Sequence, residues 1–400
     1  MGAPPLTTDA PRPPARRRRA VALVAVALAS AMAFAACERA AAPVAFHADG
    51  YPEKLSDWRV VLRHGSRLEL NDRVVPYDLN TPLFSDYAQK LRTVWLPEGA
   101  AAAQYSADDT FEFPVGTVFS KTFYYSTTAD GSVLTSAHAP VLNDSGGIDL
   151  DQHRLIETRL LVRRASGWVA LPYIWNEEQT EAYLARAGRT LRLTLQTASA
   201  PPQEFAYLVP NVNQCAGCHA SNNTTRVLKP IGAKARHLNR DFDYADGRAN
   251  QLAHWQSIGY LAGAPDPASA PRNADWTNAH ESLDARARAY LDINCGHCHN
   301  AHGAADTSAL LLDASAAEDL SMGLCKPPVA AGQGTGDHEF TIVPGHPEDS
   351  ILTYRMSSLD PGAMMPELGR GTTHTEGVAL ISEWIRAWPG QCDPATGQGS

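Results

Sequence analysis

Two five-residue segments carry groups whose types and spacing define a chemistry: Cys215-Ala216-Gly217-Cys218-His219 and Cys295-Gly296-His297-Cys298-His299. In each, two thiols stand three positions apart and an imidazole follows at once. On one helical turn such thiols reach the two vinyl groups on one edge of a porphyrin, and the next residue lies beneath the ring, where its imidazole meets iron. This is the c-type haem attachment pattern, and the sequence contains it twice. The rival use of the same residues is a four-cysteine zinc site, which leaves His219 and His299 without a role.

The remaining cysteines narrow the choice. Of seven in the chain, four belong to these motifs, leaving Cys37, Cys325 and Cys392. In an oxidising compartment Cys325 and Cys392 form a natural disulfide, the alternative being two buried thiols. Such a bridge would close a 67-residue loop and contribute on the order of 4 kcal/mol in the chain-entropy account.

The N-terminus explains why an oxidising compartment is expected. Arg16 to Arg19 form a positive head, and Ala20 to Ala36 form a short Ala-rich apolar run. That layout predicts a secretory signal over residues 1–36, not a spanning helix. Phe34-Ala35-Ala36-Cys37 resembles a lipobox, which would make Cys37 the lipidated first residue of the mature chain. An ordinary signal cut nearby would leave a free periplasmic protein. Without residues 1–36 the chain holds 29 Lys+Arg against 42 Asp+Glu, a net charge of −13. This argues against nucleic acid and favours redox partners with basic docking surfaces.

Sixth ligands would come from Met and His. Gly362-Ala363-Met364-Met365-Pro366 precedes a final helical stripe of Val378, Ile381, Ile385 and Trp388. A thioether from Met365, or alternatively Met364, opposite His299 would raise the iron potential relative to a second imidazole. Ile293, Leu310, Trp384 and Ile385 would wall that site. No Met lies between Cys215 and Met322, so His237 and His254 are the local candidates opposite His219. Met356 or Met322 could reach across, or the iron could remain five-coordinate. Arg236 is placed to pair with a haem propionate.

The elements that must position these groups change character along the chain. Residues 37–50 read as a tether. From 51 to 209 alternating apolar and polar runs predict strands near 58–62, 111–113, 118–125, 155–163, 168–174, 191–195 and 205–209. One helix is expected from Asn176, with Gln179 completing its cap and Gly188 stopping it. After Pro210 short helices are expected near 250–259, 282–294 and from Thr375, with a proline-rich boundary at 262–275. The expected architecture is α+β multidomain. A β-rich, sandwich-like domain (51–209) precedes a mainly α-helical, cytochrome c-like dihaem region, divided into a first haem module (210–275) and a second haem domain (276–392). Residues 393–400 are expected to form a disordered tail.

Taken together, the chain resembles a family of bacterial exported dihaem c-type cytochromes. The resemblance rests on the two motifs, Tyr77 to Tyr87, Phe113-Pro114-Val115-Gly116-Thr117, Glu157-Thr158-Arg159-Leu160-Leu161, Cys325-Lys326-Pro327-Pro328 and Met364 to Gly369. It implies two c-type haems and one-electron transfer in the periplasm or at the outer membrane. A fainter likeness joins the N-terminal half to cytochrome P460-type domains and draws attention to Lys121. Two other functions remain open: a dihaem peroxidase or oxidase with an open first haem, and a partner- or glycan-binding β-domain whose haems serve sensing.

Overall fold

A computed structural model describes residues 1–3, 41–135, 142–143, 146–198, 200–329, 332–393 and 398–399. The signal-like segment and Cys37 lie outside the described residues. Residues 43–400 form one compact unit.

The strand-rich reading of residues 51–209 corresponds to thirteen strands among the described residues. They are β1 (Val61–His64), β2 (Arg67–Leu70), β3 (Val75–Tyr77), β4 (Gln89–Trp95), β5 (Ala103–Gln104), β6 (Val118–Ser126), β7 (Val133–Leu134), β8 (Ile148–Asp149), β9 (His153–Arg164), β10 (Gly167–Trp175), β11 (Ala182–Leu184), β12 (Arg189–Gln196) and β13 (Gln203–Val209). Six make one antiparallel sheet in the order β11-β10-β9-β6-β4-β3. Its residues alternate faces, as a pleated strand must. Leu91, Tyr124, Leu160 and Val162 enter one core with Trp58, Val61 and Leu68 from the β1–β2–β8 side. Val94, Phe119 and Leu161 face the other way, against Trp255, Leu252 and Ile293 from the second half of the chain.

That second face carries an unusual row. Arg92 on β4 stands opposite Lys121 on β6, which stands opposite Arg159 on β9. Lys90 lies two residues from Arg92 and so shares its face. Like charges directly opposite one another destabilise a sheet. Two carboxylates offset part of the row: Asp78 accepts from Arg92 at 2.6 Å, and the buried Glu157 accepts two bonds from Arg159 at 2.6 and 2.7 Å. Among the described residues no carboxylate lies within ion-pair distance of Lys90 or Lys121.

The expected helix from Asn176 does not form. The Asn176 side chain accepts instead from the backbone N–H groups of Thr180 and Glu181 at 2.9 and 3.1 Å, and Gln179 adopts a left-handed φ of 57°. This is an Asx-type loop leading into β11, in which the side chain takes the donors that a helix would use.

The expectation of a mainly helical second half is overturned. The structure is β-rich, 27% strand against 21% helix, with several sheets. After β13 come six short helices among the described residues: α1 (Val212–His219), α2 (Ala235–Leu238), α3 (Gln251–Ser257), α4 (Leu283–Leu291), α5 (Ile351–Ser357) and α6 (Thr375–Arg386). Between them run a hairpin (Asp241–Tyr244 with Gly247–Asn250), turns and loops. Pro265, Pro267 and Pro271 disfavour an α-helix there, and Pro267 opens only a three-residue 3-10 turn, Pro267–Ser269. Asp313 and Asp319 accept from the backbone of Ser315 and Ser321, at 2.9 and 2.7 Å, and hold turns instead. The proline-rich stretch begins with Leu261–Ala262, which pairs with β5.

The last helices nonetheless build a core around the second motif. Tyr290 and Leu291 of α4 pack with Leu352 and Met356 of α5 and with Ile381, Trp384 and Ile385 of α6. Trp384 Nε1 donates to Asp284 across the α4–α6 contact at 2.9 Å. Cys325 and Cys392 are joined by a disulfide, with Cα atoms 5.2 Å apart.

Candidate functional site

The first motif lies on α1. Asn211 caps that helix reciprocally with Gln214: its side chain accepts from the Gln214 N–H at 2.8 Å, and its own N–H donates to the Gln214 side chain at 2.9 Å. This capping box sets the start of a helix only eight residues long. Cys215, Cys218 and His219 then fall at i, i+3 and i+4, on one face. His219 Nδ1 lies 2.7 Å from the Lys229 carbonyl oxygen. A carbonyl only accepts, so Nδ1 carries the proton and Nε2 keeps a free lone pair. Burial, with Lys121 adding to it, pushes the His219 pKa down to about 4. The neutral, metal-binding form therefore prevails at neutral pH.

The second motif follows α4 through a wider turn over Asp292–Gly296. Asn294 ties it down, donating to the Tyr290 carbonyl at 2.9 Å and accepting from the Phe84 N–H at 2.8 Å. Gly296 is required by close approach, since a Cβ there would lie 2.8 Å from the Asp313 Cα. The Cys298 and His299 N–H groups donate to the Cys295 carbonyl at 3.0 and 2.9 Å. Burial drives the Cys295 and Cys298 thiols up to about 12 and His299 down to about 4.

Each motif opens on its own cavity. The second cavity, about 440 Å³, is lined by Cys295, Cys298 and His299 together with Leu310, Leu352, Met356, Met365, Arg355 and Lys326. The first is tighter, about 140 Å³, and is lined by Cys215, Cys218 and His219 facing Lys90, Arg92, Lys121 and Arg159 of the sheet. The two run together at Cys218, His297, Pro366 and Leu368, which line both. Cys298 Sγ lies 3.3 Å from the Gly217 carbonyl oxygen, so the two attachment loops touch.

These residues fit c-type haem. The donor set comprises paired thiols, neutral imidazoles and a thioether set in apolar walls. Burial first, and then repulsion from Arg159 and Arg92, lowers the Lys121 pKa to about 7. Burial likewise drives the Lys90 amine well below its ordinary value. A cavity with two such lysines beyond its carboxylate-paired arginines suits a guest bearing two carboxylates, as haem does in its propionates.

The sequence-derived candidates separate clearly. Met365 lines the second cavity with His299, whereas Met364 does not. Met356 lines the same cavity and not the first. Met322 lines neither: it is buried among α4, α5 and α6 residues, and its sulfur accepts from Arg288 at 3.8 Å. Leu310 lines the second cavity, Ile293 lines the first, and Trp384 and Ile385 pack in the core behind.

His237 and His254 face neither cavity. His237 is buried beside Asp292, with Nε2 3.6 Å from its carboxylate, and beside Asn273. His254 stacks on Tyr244 at 3.6 Å and lines a separate, larger groove of about 1360 Å³. Arg236 lies 3.4 Å from Asp108 and also faces neither cavity. Sequence reasoning missed His297, Lys90, Arg92 and Arg159. The i, i+2 spacing of Lys90 and Arg92 was the one available sign, because it places both on one face of a strand.

Comparison of the chain with known protein families, with curated proteins and with solved structures found no match.

The placement of His237 has a measurable consequence. Burial, against the attraction of Asp292, lowers its pKa to about 4. Between about pH 6.5 and about pH 4 the unfolded chain binds a proton at this position that the folded chain refuses. Its contribution to stability is therefore present above that window and lost as pH falls through it. Denaturant midpoints of the parent should drop on moving from about pH 7 to about pH 4.5, and His237→Gln should drop less. Equal drops in both proteins would refute this.

Proposed function

We propose that the chain is an exported dihaem c-type cytochrome that carries single electrons. The observation that carries this reading is the side-by-side meeting of two C-x-x-C-H loops, each presenting two thiols and an imidazole to a cavity of its own. Cys215, Cys218 and His219 would hold one haem, and Cys295, Cys298, His299 and Met365 the other. Each bound haem would supply one reversible one-electron iron couple.

The chain's own residues do the remaining work. The Lys229 carbonyl fixes the His219 tautomer and ring orientation. Leu310, Leu352 and Met356 line the second cavity and would lower the dielectric around the group it holds. Lys90 and Lys121 would offset propionate charge in the first, and Arg355 and Lys326 are the corresponding cations of the second. Residues 1–36 would direct export, and Cys37 would anchor the chain to a membrane. The acidic mature surface would steer encounters with basic redox proteins.

The test is production in a bacterial host that matures c-type cytochromes, followed by haem quantification and redox titration. Two covalent haems per chain and two one-electron waves are expected. A chain that binds zinc through its four thiols and carries no haem would overturn the reading. Met365→Ala should lower the potential of one haem and abolish its thioether-to-iron charge-transfer band, while Met356→Ala should preserve both. The reverse pattern would transfer the ligand role to Met356.

A further inference from the structure

We propose that His297, the third residue of the second attachment motif, is the far-side ligand of the iron held by His219. This inference rests on the dihaem reading above. The ligand opposite His219 is the position that the sequence leaves open, and the structure narrows the choice. Among the described residues, His219 and His297 are the only imidazole or thioether side chains lining the first cavity. His237, His254, Met322 and Met356 all face elsewhere.

Three features suit His297 to the task. First, its Nδ1 lies 3.2 Å from the Ile293 carbonyl oxygen, repeating the arrangement of His219 with Lys229. A carbonyl partner requires Nδ1 to donate, so the lone pair sits on Nε2, the same nitrogen that His219 keeps free. Second, the residue sits between Cys295 and Cys298 in a loop that contacts the first motif at Gly217. Third, the two positions between the cysteines of a C-x-x-C-H segment carry no attachment chemistry, so an imidazole there is free for another role. The second motif would thereby complete the first, and the first haem site would not be finished until both loops had docked. A ligand borrowed in this way also fixes the separation of the two haems, because the loop that binds one iron is covalently attached to the other haem.

The test is His297→Ala in the full mature chain, with haem content and spin state measured together. Two haems per chain are expected to remain, with one of them passing from low to high spin and gaining the ability to bind cyanide. Added imidazole should return that haem to low spin, which a merely structural role for His297 would not produce. His297→Met should keep both haems low-spin and raise the potential of one. An unaltered spectrum in His297→Ala with two haems present would overturn the inference alone. So would conversion of that haem to high spin by Lys121→Ala and not by His297→Ala, which would give the position to the amine. Absence of haem from the parent chain would instead remove the dihaem reading, and this inference with it.

Discussion

Replacing one attachment pair, as Cys295→Ala with Cys298→Ala, is expected to reduce covalent haem from two per chain to one, and replacing all four cysteines should abolish it. Loss of an axial ligand has no effect of this size on haem content, because a thioether bond either forms or does not. Of the first motif, only Gly217 and Cys218 line the second cavity with Cys295 and Cys298, and the wall shared by both cavities is Cys218, His297, Pro366 and Leu368. The surviving haem should therefore keep the spectrum of the first site, with shifts confined to what that wall transmits. The converse pair, Cys215→Ala with Cys218→Ala, should leave the haem whose spectrum depends on Met365. Denaturing gels stained for haem, with pyridine haemochrome spectra of the same samples, measure both outcomes. A double variant that retains two covalent haems would show that the thiols are not the attachment points.

The second large effect belongs to the disulfide. Cys325→Ala with Cys392→Ala should cost on the order of 4 kcal/mol of unfolding free energy, because the bridge closes a 67-residue loop. Position adds a local consequence. Cys325 is buried, and its N–H donates to the Ile342 carbonyl at 2.9 Å, while Lys326, Pro327 and Pro328 immediately after it line the second cavity. At its other end the bridge holds the segment that follows α6. Losing it should loosen one wall of the second cavity and leave the first unchanged, visible as faster cyanide access to the His299 haem. Urea denaturation of the parent and the double variant measures the global term. Coincident midpoints would mean that native packing alone holds the segment after α6 in place.

Much of the first half was legible in the sequence. Strands β6, β9, β10, β12 and β13 stand where apolar-rich runs and turn residues put them. The helix expected from Asn176 failed because an Asn followed by a Gln three positions on reads alike as a helix cap and as an Asx turn. The left-handed Gln179 decided between them. The helical second half failed for a related reason. Short apolar stripes such as Leu283 to Leu291 were real helices, but the Asp-, Ser- and Pro-rich stretches between them form turns whose side chains satisfy the backbone locally.

The segment Tyr77 to Tyr87 shows the limit of local reading. Its own residues give no sign of the distant contacts it makes or of the cavities it lines. Asp78 is buried against Arg92, and Asp86 accepts from the backbone of Gly371 and Thr372 at 2.7 and 2.8 Å. Phe84 bonds to Asn294 and lines the second cavity, and Leu79 and Leu83 line the first. Apart from Arg92 on the following strand, its bonding partners Asn294, Gly371 and Thr372 all lie far along the chain.

By itself, the sequence determined where the distinctive donors lie and which of them are neighbours within one turn: Cys215, Cys218 and His219, then Cys295, Cys298 and His299. That spacing is a property of a few consecutive residues and survives any packing. Only the tertiary structure decided that the two loops touch, that His297 lines both cavities while His237 and His254 line neither, and that Arg92, Lys121 and Arg159 stand in one row. Those facts depend on strand register and on contacts between residues tens of positions apart. Burial and pairing set them, and no local pattern of residues encodes them.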